Sequence, residues 1–152
     1  MPYWRLFYHV VWSTKNRLAL IDPAWEKDLY GYIRGKATAL ECIPHAIGGM
    51  SDHLHVAISI PPKLSVATLV GKLKGASSHH INEKYAAGSF LWQAEYGVFS
   101  FSEKALSSIV DYINNQKKHH TDHTWNSAME IRTQMQSPET RYPFLTIPSR
   151  QA

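Results

Sequence analysis

The stretch Cys42-Ile43-Pro44-His45-Ala46-Ile47-Gly48-Gly49-Met50-Ser51-Asp52-His53-Leu54-His55-Val56-Ala57-Ile58-Ser59-Ile60-Pro61-Pro62 decides the fold. Cys42 to Ile47 is short and apolar-rich and predicts a strand. Gly48-Gly49 supplies the turn, and His53 to Ile60 alternates as a second strand. Pro61-Pro62 ends it, because proline cannot donate to a ladder. The stretch therefore reads as a β-hairpin.

Working outward, the order of elements follows. Upstream, Tyr3 to Thr14 is rich in aromatic and β-branched residues and stops at Lys15-Asn16-Arg17, which predicts the first strand. Asp22 suits a helix N-cap and Pro23 the first helical position. Trp25, Leu29, Tyr32, Ile33 and Leu40 recur at roughly helical spacing, carrying that helix to about Leu40 across Gly31 and Gly35. Downstream, Ser65 caps a helix in which Val66, Leu69, Val70, Leu73, Ala76 and His80 share a face, running to about Tyr85. Ala86-Ala87-Gly88 breaks it, Tyr96 to Phe101 predicts a fourth strand, and Ser102-Glu103 opens a helix to about His120. The resulting β-α-β-β-α-β-α order predicts an α+β, ferredoxin-like or RRM-like antiparallel sheet with two helices on one face. One extra C-terminal helix, carrying Tyr112, follows that unit. Such a fold hosts many unrelated functions, so function has to come from side chains.

Composition narrows the class. The 152 residues suit one domain, expected over 1–122, with a loosely structured or dimer-packing tail over 123–152. No apolar run approaches the roughly 20 residues that span a bilayer, and the N-terminus does not read as a signal peptide, so a soluble, cytoplasmic protein is expected. The single cysteine, Cys42, excludes an internal disulfide framework and reads as a small buried hydrophobe. A net charge of +4 and a pI of about 9.2 lean towards a polyanionic partner.

Two short patterns carry chemistry. His53 and His55 lie two apart on a strand, so both imidazoles project from one face, roughly 6.6 Å apart along it. Two imidazoles so placed can converge on one ion; they can also be ordinary satisfied residues. Tyr112-Ile113-Asn114-Asn115-Gln116 puts a tyrosine and a glutamine four apart, about 5 to 6 Å between Cβ atoms on one helix face. Read alone, that pair also fits an amphipathic helix.

Taken together, the two patterns resemble the single-tyrosine HUH transposases, small insertion-sequence enzymes that act on single-stranded DNA. The likeness is carried by Tyr8-His9-Val10-Val11-Trp12-Ser13-Thr14-Lys15-Asn16-Arg17, by Ser51-Asp52-His53-Leu54-His55 through Pro61-Pro62, and by Gly97-Val98-Phe99-Ser100 through Tyr112-Ile113-Asn114-Asn115-Gln116. It covers residues 3 to about 121. The resemblance implies that His53, His55 and Gln116 ligate a divalent metal, Mg²⁺ or Mn²⁺. It further implies that Tyr112 forms a 5′-phosphotyrosine link and frees a 3′-hydroxyl, on hairpin ends of the element's own single-stranded DNA. The implied assembly is a homodimer in which the tyrosine helix of one subunit can dock beside the histidines of the other. The helix after the fourth strand lies outside the βαββαβ unit and need not pack on its own sheet. The expected location is then the cytoplasm, at the nucleoid.

Lys63, Lys72, Lys74, Lys117 and Lys118 lie near these motifs in sequence and are candidate DNA-backbone contacts. Trp92 and Tyr96 are weighed as base-stacking or core residues, with core packing preferred. His119, His120 and His123 fit a basic helix end better than a second metal site. Three rivals differ in content. A histidine-triad hydrolase needs a third histidine where Ala57 stands. An RRM-like single-strand nucleic-acid binder needs neither His-Leu-His nor Tyr-x-x-x-Gln. A domesticated relative without transposition activity keeps the residues but not the use.

Overall fold

The computed structural model describes residues 3–124. The strands are β1 (Phe7–Ser13), β2 (Ile43–Gly49), β3 (His53–Ser59) and β4 (Gly97–Ser100), and the helices are α1 (Glu26–Ala39), α2 (Val66–Ile81), α3 (Leu106–Asn114) and α4 (Gln116–Thr121). The sheet runs β2-β3-β1-β4, with every neighbouring pair antiparallel. This is the ferredoxin-like order expected from the sequence. Among the described residues no helix is long and apolar enough to cross a membrane.

Strand alternation splits the sheet into two apolar faces. Val10, Trp12, Leu54, Val56 and Ile58 point towards Leu29, Ile33 and Ala37 of α1 and Leu69, Val70 and Leu73 of α2, forming the main core. The opposite face is smaller: Ala46 and Ala57 meet Ile109, Tyr112 and Ile113 of α3. The sheet is therefore sandwiched, with α1 and α2 on one side and α3 on the other. The tyrosine helix packs on its own sheet in this structure, since small residues at 46 and 57 leave room for it.

Two other local readings change. Gly48-Gly49 is not the turn; both residues belong to β2, and the chain reverses at Met50–Asp52, where Met50 N–H donates to His53 O at 3.0 Å. The glycines serve close approach instead, for a Cβ on Gly48 would lie 2.1 Å from Ile113 O. The first long helix starts at Glu26 rather than Pro23. Asp22 Oδ1 accepts from Ala24 N–H at 2.8 Å, making a turn before the helix. The Ser65 cap is present, its hydroxyl accepting from Thr68 N–H at 3.1 Å. Cys42 is buried, and burial pushes its thiol up to about 11.

The helix expected over 102–120 is interrupted. A short 3₁₀ turn, Glu103–Ala105, precedes α3, and the backbone leaves helical geometry at Asn115 (φ −106°, ψ 22°) before α4. At this break the Asn115 backbone N–H (3.1 Å) keeps its helical bond to Asp111 O, and the side-chain Nδ2 (2.7 Å) donates to the same carbonyl.

Candidate active site

The site lies on the α3 face of the sheet, at the end where β3 begins. His53 and His55 are buried, at 1% and 0% exposure, with ring centroids 5.1 Å apart. They sit in the middle of the sheet because β3 is flanked by β2 and β1, and Ser13 and Val11 stand opposite them on β1. Each histidine has its Nδ1 engaged. His53 Nδ1 is 2.7 Å from Asp52 Oδ1, and His55 Nδ1 is 2.8 Å from His9 Nε2. Asp52 is itself approached by Arg17, whose guanidinium lies 3.4 Å from Oδ2.

Tyr112 comes to the same place from α3. Its ring meets that of His55 edge-on, centroids 5.9 Å apart and planes at 83°. Gln116 follows across the break and is 1% exposed. Its Nε2 reaches only the Tyr112 carbonyl, at 3.4 Å, and its Oε1 is buried with no hydrogen-bond partner among the described residues. A buried amide oxygen without a donor is costly, and a cation is one means of satisfying it. The donor set is thus two imidazoles held through Nδ1 and one uncommitted amide oxygen, which fits a divalent ion. No group of three His, Cys, Asp or Glu side chains among the described residues is placed to hold one.

The expected lysines separate. Lys117 and Lys118 are on α4, next to Gln116, although Lys117 Nζ is already 2.6 Å from Glu26 Oε1 and 3.2 Å from Gly49 O. Lys118 is exposed. Lys63 follows the far end of β3 and pairs with Glu41. Lys72 and Lys74 ride on α2, across the sheet from Tyr112. Lys74 donates to the carbonyls of Gln93, Ala94 and Glu95, and its partial burial lowers its pKa. Trp92 packs edge-on against Trp12 and donates to Ser77 Oγ at 3.0 Å, and Tyr96 also packs on the main core.

A matching family model, described as transposase IS200 like, covers residues 2–116. The chain belongs to the IS200-like transposase family. Relatives include the ISDra2 transposase TnpA of Deinococcus radiodurans, 29% identical over 121 residues, covering 74% of this chain and 85% of the relative. The transposase for insertion sequence element IS200 of Salmonella typhimurium is 28% identical over 126 residues, covering 74% and 78%. A crystal structure described as a transposase from D. radiodurans R1 superposes with TM-score 0.62 at 28% identity, over 76% of this chain and 95% of that one. A REP-associated tyrosine transposase bound to a REP hairpin shares the fold, with TM-score 0.59 at 16% identity over 84% and 77%.

Within this IS200-like transposase, the structure adds four residues to which the sequence reading gave no site role. His9 and Asp52 touch the two histidines, His120 lies beside His53 with ring centroids 5.1 Å apart, and His119 stacks on Tyr112. His9 shares the parity of the inward face of β1, but only the register, His9 opposite Ala57, sets it diagonal to His55. His119 and His120 are more than a basic helix end, because the break at Asn115 turns α4 back over the site.

Proposed function

We propose that this transposase cleaves and rejoins single-stranded DNA at insertion-sequence ends, with Tyr112 as the nucleophile. In this reading His53, His55 and Gln116 hold Mg²⁺ or Mn²⁺. The observation that carries it is the edge-on approach of Tyr112 to His55, with the uncommitted amide oxygen of Gln116 one turn further on. The Tyr112 oxygen attacks the scissile phosphorus, the bond to O3′ breaks, and the 3′-oxygen leaves as a hydroxyl on taking up a proton. The 5′ phosphate stays on the tyrosine, which keeps the bond energy for rejoining.

A free phenol titrates near pH 10, so only about one in a thousand is ionised at pH 7, a deficit of roughly 4 kcal/mol. A divalent ion at this site would supply charge stabilisation to the phosphate oxygens. Two neutral imidazoles and a neutral amide would leave that ion its full charge and open positions. Imidazole alone would suit zinc, copper or nickel better, so the choice of magnesium or manganese rests on the family resemblance. Of the candidate lysines, Lys117 and Lys118 lie beside the site and are assigned to the DNA backbone; Lys63, Lys72 and Lys74 could contact only a strand passing elsewhere on the molecule. A hairpin substrate is supported by the REP hairpin held by the structurally similar transposase. Chromosomal DNA as substrate places the reaction at the nucleoid, in the cytoplasm.

The test is cleavage of labelled single-stranded oligonucleotides from the element's ends, with Mg²⁺ or Mn²⁺, on denaturing gels. A covalent protein adduct on the 5′ side of the cut is expected. Cleavage without an adduct, or equal cleavage of duplex, would replace strand transfer by hydrolysis. Binding without cleavage would favour the RRM-like or domesticated alternative.

A further inference from the structure

We propose that His9 is a positioning residue: it fixes the tautomer and ring orientation of His55, as Asp52 does for His53. The metal part of the inference rests on the ligand assignment above. A neutral imidazole carries one N–H, and a ligating nitrogen must be bare. For His55 to present a bare Nε2, its proton must sit on Nδ1, where His9 Nε2 stands 2.8 Å away as an acceptor. The bond is buried, with His9 at 1% exposure on the central strand β1. An imidazole at such a place costs free energy unless it is hydrogen-bonded, and Val11, next on the same face, is the apolar residue the environment favours. The diagonal register makes the contact specific. His9 is opposite Ala57, whose methyl leaves space for the ring to lean towards His55, at 5.0 Å between centroids.

The two histidines are thereby held by different chemistry. Asp52 offers His53 a carboxylate, whereas His9 offers His55 a neutral acceptor. One carboxylate rather than two beside the ligands leaves the site more positive towards a phosphate.

His9→Gln puts a side-chain carbonyl near the position of Nε2 and keeps an acceptor. His9→Phe keeps ring volume beside Phe99 and removes it, and His9→Leu repeats the test should the phenyl ring overfill the space. Long-range ¹H–¹⁵N NMR on metal-free protein reads the imidazole tautomers, and calorimetry reads Mn²⁺ binding. Wild type and His9→Gln are expected to hold His55 as the Nδ1–H tautomer. His9→Phe should move it to Nε2–H and weaken Mn²⁺ binding about 10- to 100-fold, while the His53 tautomer, held by Asp52, stays as it was. Unchanged His55 tautomer and Mn²⁺ affinity in a folded His9→Phe or His9→Leu protein would overturn the proposal, as would His9→Gln behaving like His9→Phe. Unchanged Mn²⁺ binding in His55→Ala would instead overturn the ligand assignment, and the metal-free tautomer readout keeps the two failures apart.

Discussion

His119 stacks on Tyr112, ring centroids 4.8 Å apart and planes 27° from parallel, with its Nδ1 held by the Thr124 hydroxyl at 3.0 Å. The contact covers one face of the tyrosine ring. Aromatic pairs of this kind are worth about 0.5–1.5 kcal/mol. His119→Ala should therefore slow adduct formation by roughly 2- to 12-fold, that energy expressed as a rate. His119→Phe should retain most of the rate. Single-turnover gels measure it, and equal rates for wild type and His119→Ala would show that the stack does not position Tyr112.

Tyr112→Phe should abolish the adduct while DNA affinity stays within about twofold, because it removes one oxygen and no basic contact. His53→Ala, His55→Ala and Gln116→Ala should act through the ion. Excess Mn²⁺ is expected to restore part of the activity of Gln116→Ala and none of that of Tyr112→Phe. An adduct formed by Tyr112→Phe would mean that another tyrosine attacks.

Gly48→Ala would drive its new methyl into the Ile113 carbonyl, 2.1 Å from the ideal Cβ position. Either β2 or α3 must move, at a cost of about 1–3 kcal/mol, and Tyr112 moves with α3. Lower melting temperature and lost cleavage should therefore appear together. Gly71→Ala in α2, where nothing lies within 4 Å of the added carbon, is the control and should gain about 0.5–1 kcal/mol. Thermal denaturation of the two variants checks both signs.

Tyr112 stands beside His55 of its own chain, and α3 is held there by Ile109 and Ile113 against Ala46 and Ala57. Co-expression of Tyr112→Phe with His55→Ala, as a mixed dimer isolated by two tags, should then leave cleavage at background, since every site keeps one lesion. Recovered cleavage would show that subunits exchange α3 and share sites.

Much of this was legible in the sequence because it depends on short-range periodicity. Alternation through His53–Ile60 set the hairpin partner and placed both imidazoles on one face. The Ser65 cap and the apolar stripe from Val66 to Leu73 set α2, and the order of elements set the sheet. The spacing of Tyr112 and Gln116 marked them as a pair. Each of these follows from the geometry of one strand or one turn of helix.

Only the tertiary structure decided the rest. Two glycines in a row have the composition of a turn; that they lie inside β2 depends on α3 crossing at Gly48, a contact 65 residues away in sequence. The helix through Tyr112 breaks at Asn115, where a side-chain amide also reaches the Asp111 carbonyl, a contact periodicity does not record. His9 carries no spacing signal towards His55, since the strand register that makes them neighbours is set by the packing of whole faces. Sequence determined which residue types and faces this transposase has. Which face meets which, and therefore what surrounds the tyrosine and the histidines, was decided by long-range packing.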